Sequence, residues 1–316
     1  MRGLCLLLYP GLFASLIVLS SLARADVAAL EWLNRAAAAA KQLNYSGVYV
    51  YHHGEHVEIL RVSHRADAGG EFEKIEVLDG SPRHFLRLNS DVYCHLSDGK
   101  SVRLERNAAK RFFPALLPEQ PVGLLNHYSV RLGGTERVAG RPSQVVILEP
   151  RDGYRHGFNL WLDKSTGLPL KSRIVSNNGG VVSMYVFSEI QVGRAPDPRL
   201  FENDLAGKRI FRASLEQSAE NTWDVSAPPG FVKVQEAVRP FPGKKSPVTH
   251  LVFSDGLSVL SLFIEPMDGQ SQSLQGLSAE GAIGVYSRQT AGHKVTALGE
   301  VPSSALIEVG NSVRKK

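Results

Sequence analysis

From Ser46 to Val192 the chain is a succession of short β-rich runs separated by tight-turn signals, and this alternation limits the fold more than any motif does. The runs are Ser46–His52, His56–His64, Phe72–Leu78, Arg83–Leu88, Asp91–Leu96, Ser101–Glu105, Tyr128–Leu132, Ser143–Glu149, Gly157–Leu162, Leu170–Ser176 and Val181–Val192. Asp79-Gly80, Asp98-Gly99, Gly133-Gly134 and Asn177-Asn178-Gly179-Gly180 join several of them. Such residues supply the positive φ that hairpin turns need. Joints this short leave no room for crossover helices, so a consecutive antiparallel sheet is expected and parallel βαβ units are not.

Several runs are apolar on both faces: Val48 and Val50 alternate with Tyr49 and Tyr51, Val145 and Ile147 with Val146 and Leu148, Met184 and Val186 with Tyr185 and Phe187. A sheet with one wet face alternates more cleanly, so this one is expected to be covered on both sides or to curl around an apolar interior. That interior is either ordinary core or a groove for an acyl chain or an apolar partner segment. One helix, Val27 to Leu43, has Leu30, Leu33, Ala37 and Ala40 at helical spacing and Asp26 in place to cap it, and it can cover one side. Residues 203–222 carry charges and small polar residues without a sustained apolar period and read as a linker. Beyond it, Trp223 and Pro228-Pro229-Gly230-Phe231 open a second block, with strands near Val248–Ser254, Leu257–Ile264, Gly281–Tyr286 and Lys294–Gly299, a closing helix Ser303–Val309, and a disordered tail Arg314-Lys315-Lys316. The expected fold is mainly β (α+β): an antiparallel sheet with helical cover over residues 26–202, either covered on both sides or curled, and a smaller α+β domain over 223–316.

The first 25 residues have the form of a secretory signal peptide: Arg2, an apolar run from Leu4 to Leu22, and Ala23-Arg24-Ala25, with cleavage expected after Ala25. No other stretch approaches the roughly 18 apolar residues of a membrane span. Removing Arg2 and Arg24 lowers the formal charge from +5 to +3, with 36 − 2 = 34 basic against 31 acidic residues. A surface this balanced does not point to a nucleic-acid partner. Of the two cysteines, Cys5 leaves with the signal, and Cys94 on an alternating strand reads as a packing thiol, so no intramolecular disulfide is expected.

No G-x-S-x-G, H-E-x-x-H, phosphate-loop or paired-cysteine pattern is present, which disfavours a secreted hydrolase, and no cofactor is expected. His52-His53-Gly54-Glu55-His56 groups three imidazoles and a carboxylate, but adjacent strand residues face opposite ways, so a polar hairpin tip is the simpler reading and no metal is expected. Eight of the ten histidines precede residue 157; ordinary polar usage accounts for them more simply than pH sensing. The candidate binding residues are basic: Lys100, Arg103, Arg106, Lys110 and Arg111, followed by Phe112-Phe113-Pro114 and Leu116-Leu117-Pro118. Cations beside aromatic and leucine side chains suit the phosphates and acyl chains of a lipid, or an acidic partner segment; a solvated strand edge also uses Lys and Arg.

The chain also resembles a known family, the MucB/RseB periplasmic regulators of envelope-stress sigma factors. The resemblance lies in Trp32-Leu33-Asn34-Arg35, Tyr45-Ser46-Gly47-Val48-Tyr49-Val50-Tyr51, Val138-Ala139-Gly140-Arg141-Pro142, the run Tyr154 to Lys171 (YRHGFNLWLDKSTGLPLK), Pro228-Pro229-Gly230-Phe231, Ser254-Asp255-Gly256-Leu257 and Phe263-Ile264-Glu265-Pro266, in the family's order. It implies a half-barrel similar to the lipoprotein-carrier fold, joined to a small α+β domain, without enzymatic activity. It further implies binding to the periplasmic domain of a membrane-spanning anti-sigma factor, protection of that factor from regulated proteolysis, and displacement by lipopolysaccharide. A periplasmic lipid or lipoprotein carrier is the alternative, and homo-oligomerisation is left open.

Overall fold

The computed structural model describes residues 11–89, 91–96, 100–104, 112–202, 209–212, 222–239, 246–267 and 275–316. Helix α1 (Gly11–Gln42) precedes β1 (Tyr45–His53), β2 (His56–Asp67), β3 (Gly70–Val77), β4 (Arg83–Leu88), β5 (Asp91–Leu96), β6 (Lys100–Leu104), β7 (Tyr128–Val138), β8 (Arg141–Pro150), β9 (Gly157–Asp163), β10 (Pro169–Val175), β11 (Val181–Val192) and β12 (Arg209–Arg212). These strands form one sheet in the order β12-β6-β5-β4-β3-β2-β1-β11-β10-β9-β8-β7. Every pairing is antiparallel except β12 with β6. The sheet is open, and the fold is mainly β with helical cover: the antiparallel pairing is the one the turn chemistry predicts, and the curved open half-barrel is the one the family resemblance implies.

Alternation decides which residues the helix covers. Ala29, Leu33, Ala36 and Ala37 of α1 pack with Val130, Val146, Leu148, Phe158, Leu160 and Leu162. One turn on, Ala39 and Ala40 meet Tyr45, Tyr49, Leu60, Val62 and Ile75. Small side chains let the helix lie close to the strands, and each fully buried Leu, Val or Phe on this face stabilises the fold by roughly 1.5–3 kcal/mol. Ala36 is fully buried, so Ala36→Leu would overpack the seam at a cost of about 1–3 kcal/mol. Within the described residues the helix extends from Gly11, upstream of the expected Val27 start, through Ala25, so Asp26 is an interior residue of α1. Among the described residues no helix is long and apolar enough to cross a membrane.

The second unit comprises β13 (Trp223–Asp224), β14 (Val232–Arg239), β15 (Val248–Ser254), β16 (Val259–Pro266), β17 (Gly276–Glu280), β18 (Ile283–Thr290), β19 (His293–Gly299), α2 (Ser303–Ser312) and β20 (Arg314–Lys315). Its six-stranded sheet has the order β14-β15-β16-β19-β18-β17. Ala305, Leu306 and Val309 of α2 close its core over Leu251, Phe253, Leu260, Leu262, Val295 and Ala297. The tail is ordered, against expectation: β20 pairs with β13, and Lys316 N donates to Thr222 O at 3.0 Å. The pairing is held by Trp223, which is buried in the core of this unit. Within the stretch read as a linker, Arg209–Arg212 forms β12; residues 203–208 and 213–221, the Asp98-Gly99 turn and Glu105 lie outside the described residues.

Candidate functional site

On the face covered by α1, an aromatic floor develops where β1 and β11 pair. Tyr51 and Tyr185 are direct cross-strand partners and stack at 4.2 Å between ring centroids, 7° from parallel. Phe113 stacks on Tyr185 at 5.3 Å, and Tyr49 meets Phe113 and Phe187 edge-on at 5.2 and 5.7 Å. Burial, with Glu300 adding to it, pushes the Tyr51 hydroxyl up to about 12. Burial raises Tyr49 and Tyr185 as well. These phenols therefore stay neutral at physiological pH and can donate hydrogen bonds from an otherwise apolar surface. Tyr49, Phe113 and Phe187 are buried in the core, and only Tyr51 and Tyr185, at the margin of the cluster, are partly exposed. Deeper in the sheet, the His64 ring stacks on Tyr45 at 4.6 Å, and its Nδ1 lies 2.7 Å from Leu43 O. Beside them the Glu73 carboxyl is raised by burial, with the Arg87 charge, its cross-strand partner, working against that rise.

The register places His53, Ser183, Val175, Gly157, Pro150 and Tyr128 at one end of the large sheet, and the second unit docks there. At the β8–β9 loop, the fully buried Arg155 side chain is paired on three sides. Its Nη1 donates to Asp152 Oδ2 at 2.7 Å, Nη2 to Pro229 O at 2.6 Å, and Nε faces Asp255 Oδ2 at 3.0 Å. Tyr128 Oη also donates to Asp255 Oδ2, at 3.1 Å. Asp255 Oδ1 accepts from Leu257 N and Ser258 N at 2.9 and 2.7 Å, which fixes its own turn. The guanidinium is further stacked over Phe231 at 5.2 Å. Gly230 makes this approach possible: at φ +80° a Cβ would stand 2.5 Å from His127 Cε1 and 2.8 Å from Arg155 Nη2. A second contact lies at the β1–β2 hairpin, where a Cβ on Gly54 would be 2.8 Å from the Gly281 Cα. Ser304 Oγ donates to Gly153 O at 2.6 Å. The two sheets are thus joined by buried, directional contacts, which narrows the relative motion that a plain linker would allow.

Of the candidate binding residues, Lys100 and Arg103 lie on β6, and β12 sets Arg209 opposite Lys100 and Arg212 opposite Arg103. Arg106, Lys110 and Arg111 lie outside the described residues. β6 is paired with β12, the terminal strand of the sheet, which itself carries Arg209 and Arg212. In the histidine cluster, His53 pairs with His56 across the hairpin, rings 5.3 Å apart, while His52 pairs with Val57 and belongs to the opposite face. Among the described residues no group of three or more His, Cys, Asp or Glu could hold a metal ion. Cys94 is half-buried, opposite Phe85 and Val102. The Arg155–Asp255 pair did not emerge as a site from sequence reasoning, although both residues fall in segments that carry the family resemblance. The available signal was an arginine and an aspartate in otherwise loop-like, apolar-flanked motifs.

An open sheet wrapped over a helix, an aromatic floor and a second sheet fastened across the strand ends define a two-unit β scaffold for binding. Residues 28–207 match the MucB/RseB N-terminal domain and residues 217–314 the MucB/RseB C-terminal domain. The chain belongs to the MucB/RseB family, whose members are regulatory binding proteins. It is 32% identical over 320 residues to the sigma factor AlgU regulatory protein MucB of Pseudomonas aeruginosa, covering 99% of this chain and 98% of that protein. The solved P. aeruginosa MucA/MucB complex is similar at 31% identity and a TM-score of 0.73, over 91% of this chain and 99% of that one. A crystal structure of MucB in complex with MucA(peri) is similar at 29% identity and a TM-score of 0.72, over 91% and 99%.

Proposed function

We propose that this chain is a periplasmic negative regulator of sigma-factor signalling. It binds the periplasmic domain of a membrane-spanning anti-sigma factor, shields it from regulated proteolysis, and releases it when lipopolysaccharide binds. The observation that carries this reading is the match of both units, in order, to MucB, whose solved complex with MucA(peri) resembles this chain along 91% of its length. The amino-terminal segment with its Ala25 cleavage point supports a periplasmic location.

Protection follows from mass action: a protector that occupies the anti-sigma domain lowers the fraction open to protease. A lipid reverses this only through a difference in affinity between the bound and released states. Tyr51 and Tyr185, the partly exposed members of the aromatic floor, are the rings an acyl chain would meet, and Lys100, Arg103, Arg106, Lys110 and Arg111 supply cations for lipid phosphates. Tyr51 stands two residues from His53, where the second unit touches the large sheet, so a chain on the floor would press on the junction.

The deciding experiment mixes the chain from residue 26 onward with the periplasmic domain of the same organism's anti-sigma factor and its activating protease, with and without lipopolysaccharide. Cleavage is expected to be blocked by the protein and restored by the lipid. Cleavage unaffected by the protein would favour a periplasmic lipid or lipoprotein carrier instead.

A further inference from the structure

The turn that joins β10 to β11 carries the one Asn-Gly step in the chain, Asn178-Gly179. Its tip is exposed from Asn177 through Val181, and a Cβ on Gly179 would meet nothing within 4 Å. The turn is closed by Gly179 N donating to Ser176 O and by Ser176 N donating to Gly180 O, each at 2.8 Å. Gly179 takes φ +85°, the left-handed conformation that a tight hairpin of this length needs.

Inside this frame the Asn178 side chain is bent back on its own backbone. Gly180 N donates to Asn178 Oδ1 at 3.3 Å, and the Ser176 hydroxyl donates to the same oxygen. A backbone N–H can only donate, so the atom facing it is the amide oxygen and not the amide nitrogen, which fixes the orientation of the side chain. The hydroxyl has a single proton and divides it between Asn178 Oδ1 and Gly180 O, the latter 2.9 Å away. Donors on an amide oxygen draw charge from its carbon and meet the negative charge that grows on the oxygen when that carbon is attacked. The nucleophile is next in the chain: the Gly179 nitrogen, which no side chain at Gly179 obstructs.

We propose that Asn178 is a self-modifying residue, deamidated through attack by the Gly179 nitrogen while Ser176 and Gly180 activate its amide. The Gly179 N–H first leaves Ser176 O and gives its proton to hydroxide or water, so the turn must open briefly and the reaction is slow. The nitrogen then bonds to Asn178 Cγ, the Cγ–Nδ2 bond breaks, and Nδ2 departs with an added proton as ammonia. Water opens the resulting five-membered imide at one of its two carbonyls and returns a proton to the Gly179 nitrogen, leaving aspartate or isoaspartate. One water is consumed and one ammonia released. The aspartyl product keeps the turn, because a carboxylate accepts from the same donors more strongly than an amide does. The isoaspartyl product lengthens the main chain by a methylene inside the turn, which loosens the closing bonds beside the Val175–Val181 pair. The chemistry is independent of the regulatory reading above.

The test incubates the purified chain in mildly alkaline buffer and maps the tryptic peptide Ile174–Arg194, which holds Asn177 and Asn178 together, by tandem mass spectrometry. A gain of one dalton is expected at Asn178, with ammonia released in equal amount, while Asn177 and Asn311 keep their amides over the same interval. Asn178→Gln, whose longer side chain would have to close a six-membered ring, should show no gain. Ser176→Ala should slow the gain roughly 2- to 10-fold, the worth of one hydrogen bond. That difference should vanish when both chains are unfolded in urea, since an unfolded turn positions no donors. An Asn178 amide that stays intact in the wild type, or a gain that falls on Asn177 or Asn311 instead, overturns the proposal. Equal rates for folded wild type and folded Ser176→Ala, or a difference that persists in urea, overturns the activation by the turn.

Discussion

Arg155 and Asp255, each with a fully buried side chain, face one another at 3.0 Å across the junction between the two sheets. Removing Asp255 leaves the buried Arg155 guanidinium with Asp152, 2.7 Å away, as its one remaining carboxylate, and since breaking a fully buried pair typically costs about 3–5 kcal/mol, the loss should fall at or below that range. Asp255→Ala is therefore expected to lower the urea midpoint strongly and to enlarge the scattering radius as the second unit comes away. Replacing both partners, Arg155→Met with Asp255→Leu, removes the stranded charge and should recover part of the loss. Additive losses in that double-mutant cycle would show that the two side chains are not coupled.

A pH dependence follows from the residue next in sequence. Burial lowers His156 from 6.5 to about 4, and its Nδ1 has no hydrogen-bond partner among the described residues. Between those two values the unfolded chain takes up a proton that the folded chain refuses, so stability falls as pH drops from 6.5 toward 4 and is level on either side. The full loss is on the order of 3 kcal/mol. Glu73 works in the opposite direction: burial raises its carboxyl, so the stability it contributes is lost as pH rises through its folded value. Urea unfolding at pH 7 and pH 5 should show the wild type weaker at the lower pH and His156→Gln flatter. Equal slopes for the two proteins would remove His156 from the account.

Gly230 and Gly179 separate steric from conformational strain. Both have positive φ, +80° and +85°, yet a Cβ on Gly230 would strike His127 and Arg155 whereas one on Gly179 meets nothing within 4 Å. Gly179→Ala should lose only the left-handed penalty of about 1–2 kcal/mol. Gly230→Ala should lose more and should loosen the junction, read as faster hydrogen exchange around residues 151–156. Equal destabilisation by the two substitutions would mean that the junction absorbs the methyl group.

Deleting Arg314–Lys316 removes β20, and with it the backbone partner of Trp223 and the bond to Thr222 O. Losing two or three such hydrogen bonds is worth roughly 1–3 kcal/mol. Trp223 is edge-on to His293 at 4.8 Å, so its emission should shift to the red and the thermal midpoint should fall. Unchanged emission would mean that the core alone holds Trp223.

Much of the large sheet was legible because its strands announce themselves through local chemistry: β-branched and aromatic runs bounded by Asp-Gly, Gly-Gly and Asn-rich turns. Other strands, in this sheet and in the second unit, were not. β14 alternates as Val232, Val234, but Pro and Gly clusters on either side disguise it as loop, and β17 is only five residues long and exposed along its whole length. β12 sits in a charged connector and owes its strand state to pairing with β6, a tertiary effect invisible to local propensity. The site was less legible than the fold. The apolar alternation in β1, β8 and β11 signalled a second apolar face, but which residues line up across it depends on register, and register depends on bulges such as the one between Val48 and Tyr49. The pairing of Arg155 with Asp255 joins distant segments through a fold that neither segment encodes alone.

The pairing of β1 with β11 also bears on the order in which the chain can fold. Tyr45–His53 has one partner in the hairpin that follows it, but its other partner arrives only with Val181–Val192. Bringing such distant strands together carries a loop-closure entropy that local hairpins avoid, so this seam forms late and slowly. Until Val192 has been synthesised the sheet exists as two unjoined halves, and a chain interrupted before that residue would present two open edges at β1 and β10 to any extended segment nearby.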